Sequence, residues 1–145
     1  MRCGRRAGTS LACVKISQQL VDEMVAHARE DVPNECCGMV GGRDGTAEKV
    51  VRVKNSAASP LRYEMDPQGQ FDALKEIEAD GGELLAIYHS HTKSAAYPSQ
   101  TDVNQAQNWP EPIYVIISLA DAENPDVQAF HLADLKIADA ELEIE

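Results

Sequence analysis

Leu84-Leu85-Ala86-Ile87-Tyr88 is a short apolar run that ends in His89-Ser90-His91, and Ser99-Gln100-Thr101-Asp102 follows after the seven residues Thr92 to Pro98. The run is too brief for a helix, so it predicts a buried strand. Side chains alternate along a strand, and His89 and His91 therefore leave its C-terminal end on one face. Pro98-Ser99 reads as a helix start with Ser99 as N-cap. Asp102, three residues on, lies one turn into that helix on the face of Ser99. Two imidazoles and one carboxylate make three ligands and leave a fourth tetrahedral position open. That is the arrangement of a catalytic rather than a structural zinc ion.

The chain has four histidines. His27 falls in an amphipathic helical stretch and His131 in a late strand, and both read as structural or surface residues. An H-x-H pair alone is weak evidence for a metal. Its place at a strand end, ahead of an acid on a helix, is what gives it weight.

Outward from this stretch the chain alternates between strand and helix signals. Leu11 to Ile16 predicts a first strand. Ser17 then caps a helix with Leu20, Val21, Met24, Val25 and Ala28 on one face, ending before Pro33. Cys36 to Val40 predicts a strand closed by Gly41-Gly42, and Asp44-Gly45 a turn. Val51 and Val53 alternate with Arg52 and Lys54 as a half-exposed strand, and Asn55 to Pro60 reads as a loop. Tyr63 to Met65 predicts a short strand. Asp66-Pro67 starts a second helix carrying Phe71, Leu74 and Ile77, stopped by Gly81-Gly82. After the strand Leu84 to His89 and the Ser99 helix, which Trp109-Pro110 ends, come strands at Ile113 to Leu119 and Val127 to Leu132. Leu142 and Ile144, alternating with acids, predict an edge strand protected by charge. Helices interleave with the early strands while the late strands are consecutive. This indicates an α/β (α+β) fold, a single-domain mixed β-sheet sandwiched by helices.

A chain of 145 residues fits one domain around one core. Aromatics are 5% of the residues, so that core must be aliphatic. The net charge of −11 is uneven, because Arg2, Arg5, Arg6 and Lys15 stand in an acid-free start. Removing those four cations from the 13 leaves 9 against 24 acids, a balance of −15 for the rest. Such a body argues against nucleic acid as a partner, since phosphates would be repelled. It fits a halophilic host or an ordinary cytoplasmic protein. The four cysteines include no C-x-x-C pair, and Cys36 and Cys37 are adjacent, so reduced thiols in the cytoplasm are the simpler expectation. No stretch reads as a signal peptide or a membrane span, so no membrane partner is expected. Residues 1–13 are expected to form a disordered or loosely attached extension.

His89-Ser90-His91, seven residues, then Ser99-Gln100-Thr101-Asp102 resemble the JAMM motif of the MPN+ zinc metallopeptidases. Glu35, in Asn34-Glu35-Cys36-Cys37-Gly38, stands where that family has its upstream glutamate. The resemblance covers residues 14–145 as one JAB/MPN+ domain and implies the cytidine-deaminase-like JAB/MPN architecture. The stretch is most similar to the small bacterial Mec-type members, which cleave a cysteine adduct from the C-terminus of a ubiquitin-like sulfur carrier. Thr92 departs from the family, many of whose members have proline after the second histidine. It is no ligand in the pattern, so loop stiffness rather than chemistry is expected to differ.

The resemblance implies one Zn²⁺ held by His89, His91 and Asp102 with water as fourth ligand, and Glu35 as general base. On its own, Glu35 would read as an exposed loop acid. Ser99 has two readings, a hydrogen-bond donor to the tetrahedral oxyanion or only the cap of the helix that presents Asp102. The implied partner is the C-terminal Gly-Gly tail of a ubiquitin-like or sulfur-carrier protein. The chain has no long insertion of the kind larger relatives use to grip ubiquitin, which favours a small adduct. Two alternatives share the motif: a non-catalytic MPN scaffold, against which the complete ligand set argues, and a RadC-like DNA-associated module, against which the acidic body and Glu35 argue. No H-E-x-x-H, G-x-S-x-G, Walker loop or G-x-G-x-x-G is present. A nucleophilic role for Cys36 or Cys37 is disfavoured, since no electropositive setting is evident.

Overall fold

The computed structural model describes residues 13–145. Its elements in chain order are β1 (Cys13–Ile16), α1 (Gln18–Asp31), β2 (Cys37–Arg43), β3 (Thr46–Val53), α2 (Pro67–Ala79), β4 (Glu83–His91), α3 (Gln100–Ala106), β5 (Ile113–Ser118), β6 (Asp126–His131), β7 (Ala138–Asp139) and β8 (Glu141–Ile144). The strands form one mixed sheet in the order β7-β6-β5-β4-β2-β3-β1-β8. The expected single-domain α+β architecture is thus what the chain adopts. The start of the first expected strand, Leu11 and Ala12, lies outside the described residues, as does the expected extension apart from Cys13, which already stands in β1. Among the described residues no helix is long and apolar enough to cross a membrane.

β4 is the central strand, buried from Leu85 to His91. It runs antiparallel to β2 and parallel to β5, with His89 opposite Cys37 on one side and Ile116 on the other. A strand covered on both faces must be apolar almost throughout, which explains its unbroken run. On one face α1 lays Val21, Met24 and Ala28 against Val14, Ile16, Val40, Tyr88 and Val115. On the other, α2 lays Ala73 and Ile77 against Cys37, Met39, Val53 and Tyr63, and α3 lays Val103 and Ala106 against Ile87, Tyr114, Ile116 and Phe130. Both longer helices start as their sequences predict. Ser17 Oγ accepts the Leu20 N–H at 3.2 Å and the Asp66 carboxylate accepts the Gly69 N–H at 2.9 Å, with Pro67 in the first turn. Each cap answers one amide that the helix itself cannot satisfy.

Several local expectations change. Gly41-Gly42 does not close β2, which continues to Arg43 with a register shift at the glycines. A Cβ at Gly41 would sit 2.6 Å from Ile77, and one at Gly42 would collide with the Thr46 carbonyl, so the pair gives α2 and β3 room to approach. The turn falls at Asp44 and Gly45, where φ is 51° and 76°; consecutive left-handed residues suit a tight hairpin. Tyr63 to Met65 is not a strand: its pairing is limited to the bridge from Asn55 to Met65, and Tyr63 is buried from a loop instead. Phe71 is 57% exposed, because the inward face of α2 is set by Ala73 and Ile77, four residues apart. The C-terminal segment meets both ends of the sheet, β7 pairing with β6 and β8 running parallel to β1 as an edge strand. Cys36 and Cys37 are free and buried. His27 is buried, its Nδ1 2.7 Å from the Tyr88 hydroxyl.

Candidate metal centre

The strand pleat sends His89 and His91 to the same side of β4, and the turn after His91 brings α3 back over them. Two contacts shape that turn. The Leu119 N–H donates to the His91 carbonyl at 2.9 Å, and the Ser118 hydroxyl donates to the Ser94 carbonyl at 2.6 Å. α3 then begins with a reciprocal cap. Ser99 Oγ accepts the Asp102 N–H at 3.0 Å while Asp102 Oδ2 accepts the Ser99 N–H at 2.9 Å. The cap fixes the Asp102 carboxylate before anything else touches it.

The structure brings the three expected ligands together. Asp102 Oδ2 lies 3.1 Å from His89 Nε2 and 3.1 Å from His91 Nε2, and the two nitrogens are 3.2 Å apart. All three residues are buried, and their ligand atoms form a group able to hold a metal ion. At zinc–ligand distances of about 2.0–2.1 Å, the edge of a tetrahedron is about 3.3 Å. The observed triangle is within a few tenths of an ångström of that edge. The tautomers suit a cation as well. His91 Nδ1 faces the Ala95 carbonyl at 2.8 Å, and the carbonyl can only accept, so the ring proton sits on Nδ1 and Nε2 presents its lone pair to the triangle. His89 Nδ1 is buried without a partner. The His89 ring is held instead by Tyr63, stacked on it at 4.4 Å between centroids and 23° between planes. Tyr63 also lines a cleft of about 350 Å³ with Met65, Ile87, Gln105 and Trp109.

Charge distribution follows from burial and these contacts. Burial alone would raise the Asp102 carboxyl, but the His89 and His91 imidazoles and the Ser99 N–H outweigh it and hold it well below the usual carboxylate range. Burial lowers His89, with Asp102 opposing only in part. Burial would also lower His91, but Asp102 and the Ala95 carbonyl prevail and the net movement is upward. The ionised Asp102 carboxylate and the lowered His89 have the protonation that metal binding needs, whereas the raised His91 gives up its second proton when an ion binds.

Glu35 sits just before β2, two residues from Cys37, the partner of His89 in the sheet. It is 4% exposed, not the exposed loop acid that a single Glu would ordinarily be. Its Oε1 is buried without a partner. Burial pushes its carboxyl up to about 7, His91 opposing and Asp102 adding to the rise. Ser99 remains exposed at the α3 start, its oxygen engaged as a cap. The adjacent thiols are inert by contrast: burial pushes Cys36 up to about 12 and Cys37 higher still. Sequence reasoning missed Tyr63, Ala95 and Ser118 as supports of the histidines. A lone aromatic after a polar loop, a backbone carbonyl and a strand-end serine carry no pattern of their own.

The fold and the buried His-His-Asp group define an α+β domain with a cluster able to hold a metal ion at the end of its central strand. The family profile described as prokaryotic homologs of the JAB domain matches residues 17–133, and the chain belongs to that family. It is 37% identical over 131 residues to the CysO-cysteine peptidase of Mycobacterium tuberculosis, covering 89% of this chain and 88% of that one. It is 40% identical over 105 residues to a desampylase of Haloferax volcanii, covering 67% and 74% respectively. Among solved structures it is similar to the solution structure of a Desulfitobacterium hafniense protein, with a TM-score of 0.83 and 34% identity over 91% of this chain and 92% of the other.

Proposed function

We propose that the chain is a zinc-dependent peptidase or isopeptidase that hydrolyses the amide bond after the C-terminal Gly-Gly tail of a ubiquitin-like or sulfur-carrier protein, with a cysteine adduct as substrate. The observation that carries this reading is the convergence of His89 Nε2, His91 Nε2 and Asp102 Oδ2 at separations of 3.1 to 3.2 Å. These three would hold the ion and leave one position open to water. A bound zinc ion supplies Lewis acidity and lowers the pKa of its water to about 7.

The remaining chemistry belongs to the protein. Glu35, with a carboxyl near neutrality, takes a proton from the attacking water and then delivers it to the leaving nitrogen, so the amine departs neutral. Burial of Glu35 keeps bulk water from short-circuiting that transfer. Ser99 Oγ accepts a hydrogen bond from the Asp102 N–H, which leaves its own hydroxyl proton available for the developing oxyanion. A tail of two glycines suits a narrow approach because it has no side chains. The names of the relatives, a CysO-cysteine peptidase and a desampylase, support a conjugate of this class. The test is release of cysteine from a carrier–cysteine adduct, abolished by chelation, restored by zinc, and lost in His89→Ala, His91→Ala, Asp102→Ala and Glu35→Ala. Full turnover in the presence of a strong chelator would remove the metal from the reading.

A further inference from the structure

Glu35 lies outside regular secondary structure, and one of its carboxyl oxygens has no partner. Its placement must therefore come from its backbone, which is tied on both sides to the loop between β3 and α2. The Glu35 N–H donates to the Ser59 carbonyl at 2.9 Å, and the Glu35 carbonyl accepts Asn55 Nδ2 at 2.9 Å. Asn55 is buried and uses its whole amide. Nδ2 also donates to the Arg62 carbonyl at 3.2 Å, and Oδ1 accepts the N–H groups of Ala57 and Glu64 at 3.0 and 2.9 Å. A buried amide with four partners fixes what it touches, because losing any one leaves a polar group unpaired away from water. The halves divide the work. The acceptor oxygen shapes the loop as an Asx-type turn, and the donor nitrogen links the loop's Arg62 carbonyl to the Glu35 carbonyl outside it. The same loop carries Tyr63, the ring stacked on His89.

We propose that Asn55 is a positioning residue for Glu35, holding the carboxyl at its working place beside the metal-ligand group. This rests on the reading of Glu35 as the proton carrier. Asn55→Asp separates the two halves of the amide, since it keeps the oxygen that accepts the Ala57 and Glu64 N–H groups and removes the donations to the Glu35 and Arg62 carbonyls. The zinc-loaded variant should lose kcat on the order of tenfold or more, as displacement of a catalytic group does, with KM and zinc content near those of the wild type and a lowered melting temperature, because the new carboxyl oxygen faces the Glu35 and Arg62 carbonyls that the amide served. Independently, hydrogen exchange of the Glu35 amide followed by NMR should accelerate on the order of tenfold or more. Unchanged kcat would overturn the proposal, as would kcat and zinc falling together or an unchanged Glu35 exchange rate. A wild-type protein inert toward carrier adducts would instead sink the peptidase reading, and Glu35 exchange would still decide whether Asn55 holds it.

Discussion

Replacing Glu35 by glutamine should stabilise the metal-free protein while slowing turnover by the zinc-loaded one. In the folded state the Glu35 carboxyl is raised by burial from 4.5 to about 7. One pKa unit is worth 1.36 kcal/mol, so a shift of about 2.5 units corresponds to roughly 3 kcal/mol. The sign follows from the direction. Below pH 4.5 the carboxyl is neutral in both the folded and unfolded chain and costs nothing. Between pH 4.5 and about 7 the unfolded chain is ionised while the folded chain still holds its proton, so stability falls steadily, and above 7 the folded chain buries the charge and the loss is complete. A glutamine at this position stays neutral throughout and escapes that loss. Urea unfolding in EDTA, followed by the fluorescence of Trp109, the only tryptophan, gives the comparison at pH 4.5, 6 and 8. The stability of Glu35→Gln relative to wild type should rise by about 2–3 kcal/mol from the lowest pH to the highest. In zinc-loaded protein the nearby cation should shrink this difference, and kcat should fall on the order of 10²–10⁴-fold. A difference between the two proteins that does not vary with pH would refute the reasoning that Glu35 is a buried, poised acid.

Ser99→Ala separates the two roles of its hydroxyl: loss of the cap alone costs about 1 kcal/mol of stability, whereas loss of an oxyanion donor costs on the order of 100-fold in kcat. A near-normal rate would leave Ser99 as a cap only. Tyr63→Leu removes the ring stacked on His89 and should weaken zinc affinity by roughly 10-fold or more, as loss of an orienting contact does, which competition against a chromogenic chelator reads directly. Unchanged affinity would make the stack incidental. Removing zinc should lower the melting temperature of the wild type, because an ion bound only to the folded state stabilises it, and Asp102→Ala should show no such dependence in calorimetry.

Much of this was legible in the chain. Strand alternation placed His89 and His91 on one face, and the cap rule placed Asp102 one turn into the next helix on the face of Ser99, because both depend on local periodicities of two to four residues. The boundaries of α1 and α2 were equally local, set by Ser17 and Asp66-Pro67. What was not legible depends on contacts between distant segments. Gly41-Gly42 has the composition of a strand stop, yet it continues β2 because Ile77 and Thr46 need the space. Phe71 has the hydrophobicity of a core residue, but the angular position of Ala73 and Ile77 turns it outward. Tyr63 is buried from a loop by the shape of the Asn55 turn, and two-residue β7 is too short for any periodicity. Glu35 is the instructive case: a single acid before a strand carries no signal, and only the closure of the fold buries it.

The central claim is that two imidazoles and one aspartate of this chain grip a single divalent ion. Elemental analysis of freshly purified protein, paired with X-ray absorption at the zinc edge, tests it most directly. One zinc per chain should be found, with a first shell of nitrogen and oxygen at about 2.0–2.1 Å and with the metal lost in His89→Ala. Protein that neither carries zinc nor takes it up stoichiometrically, or a shell dominated by sulfur, would contradict the account.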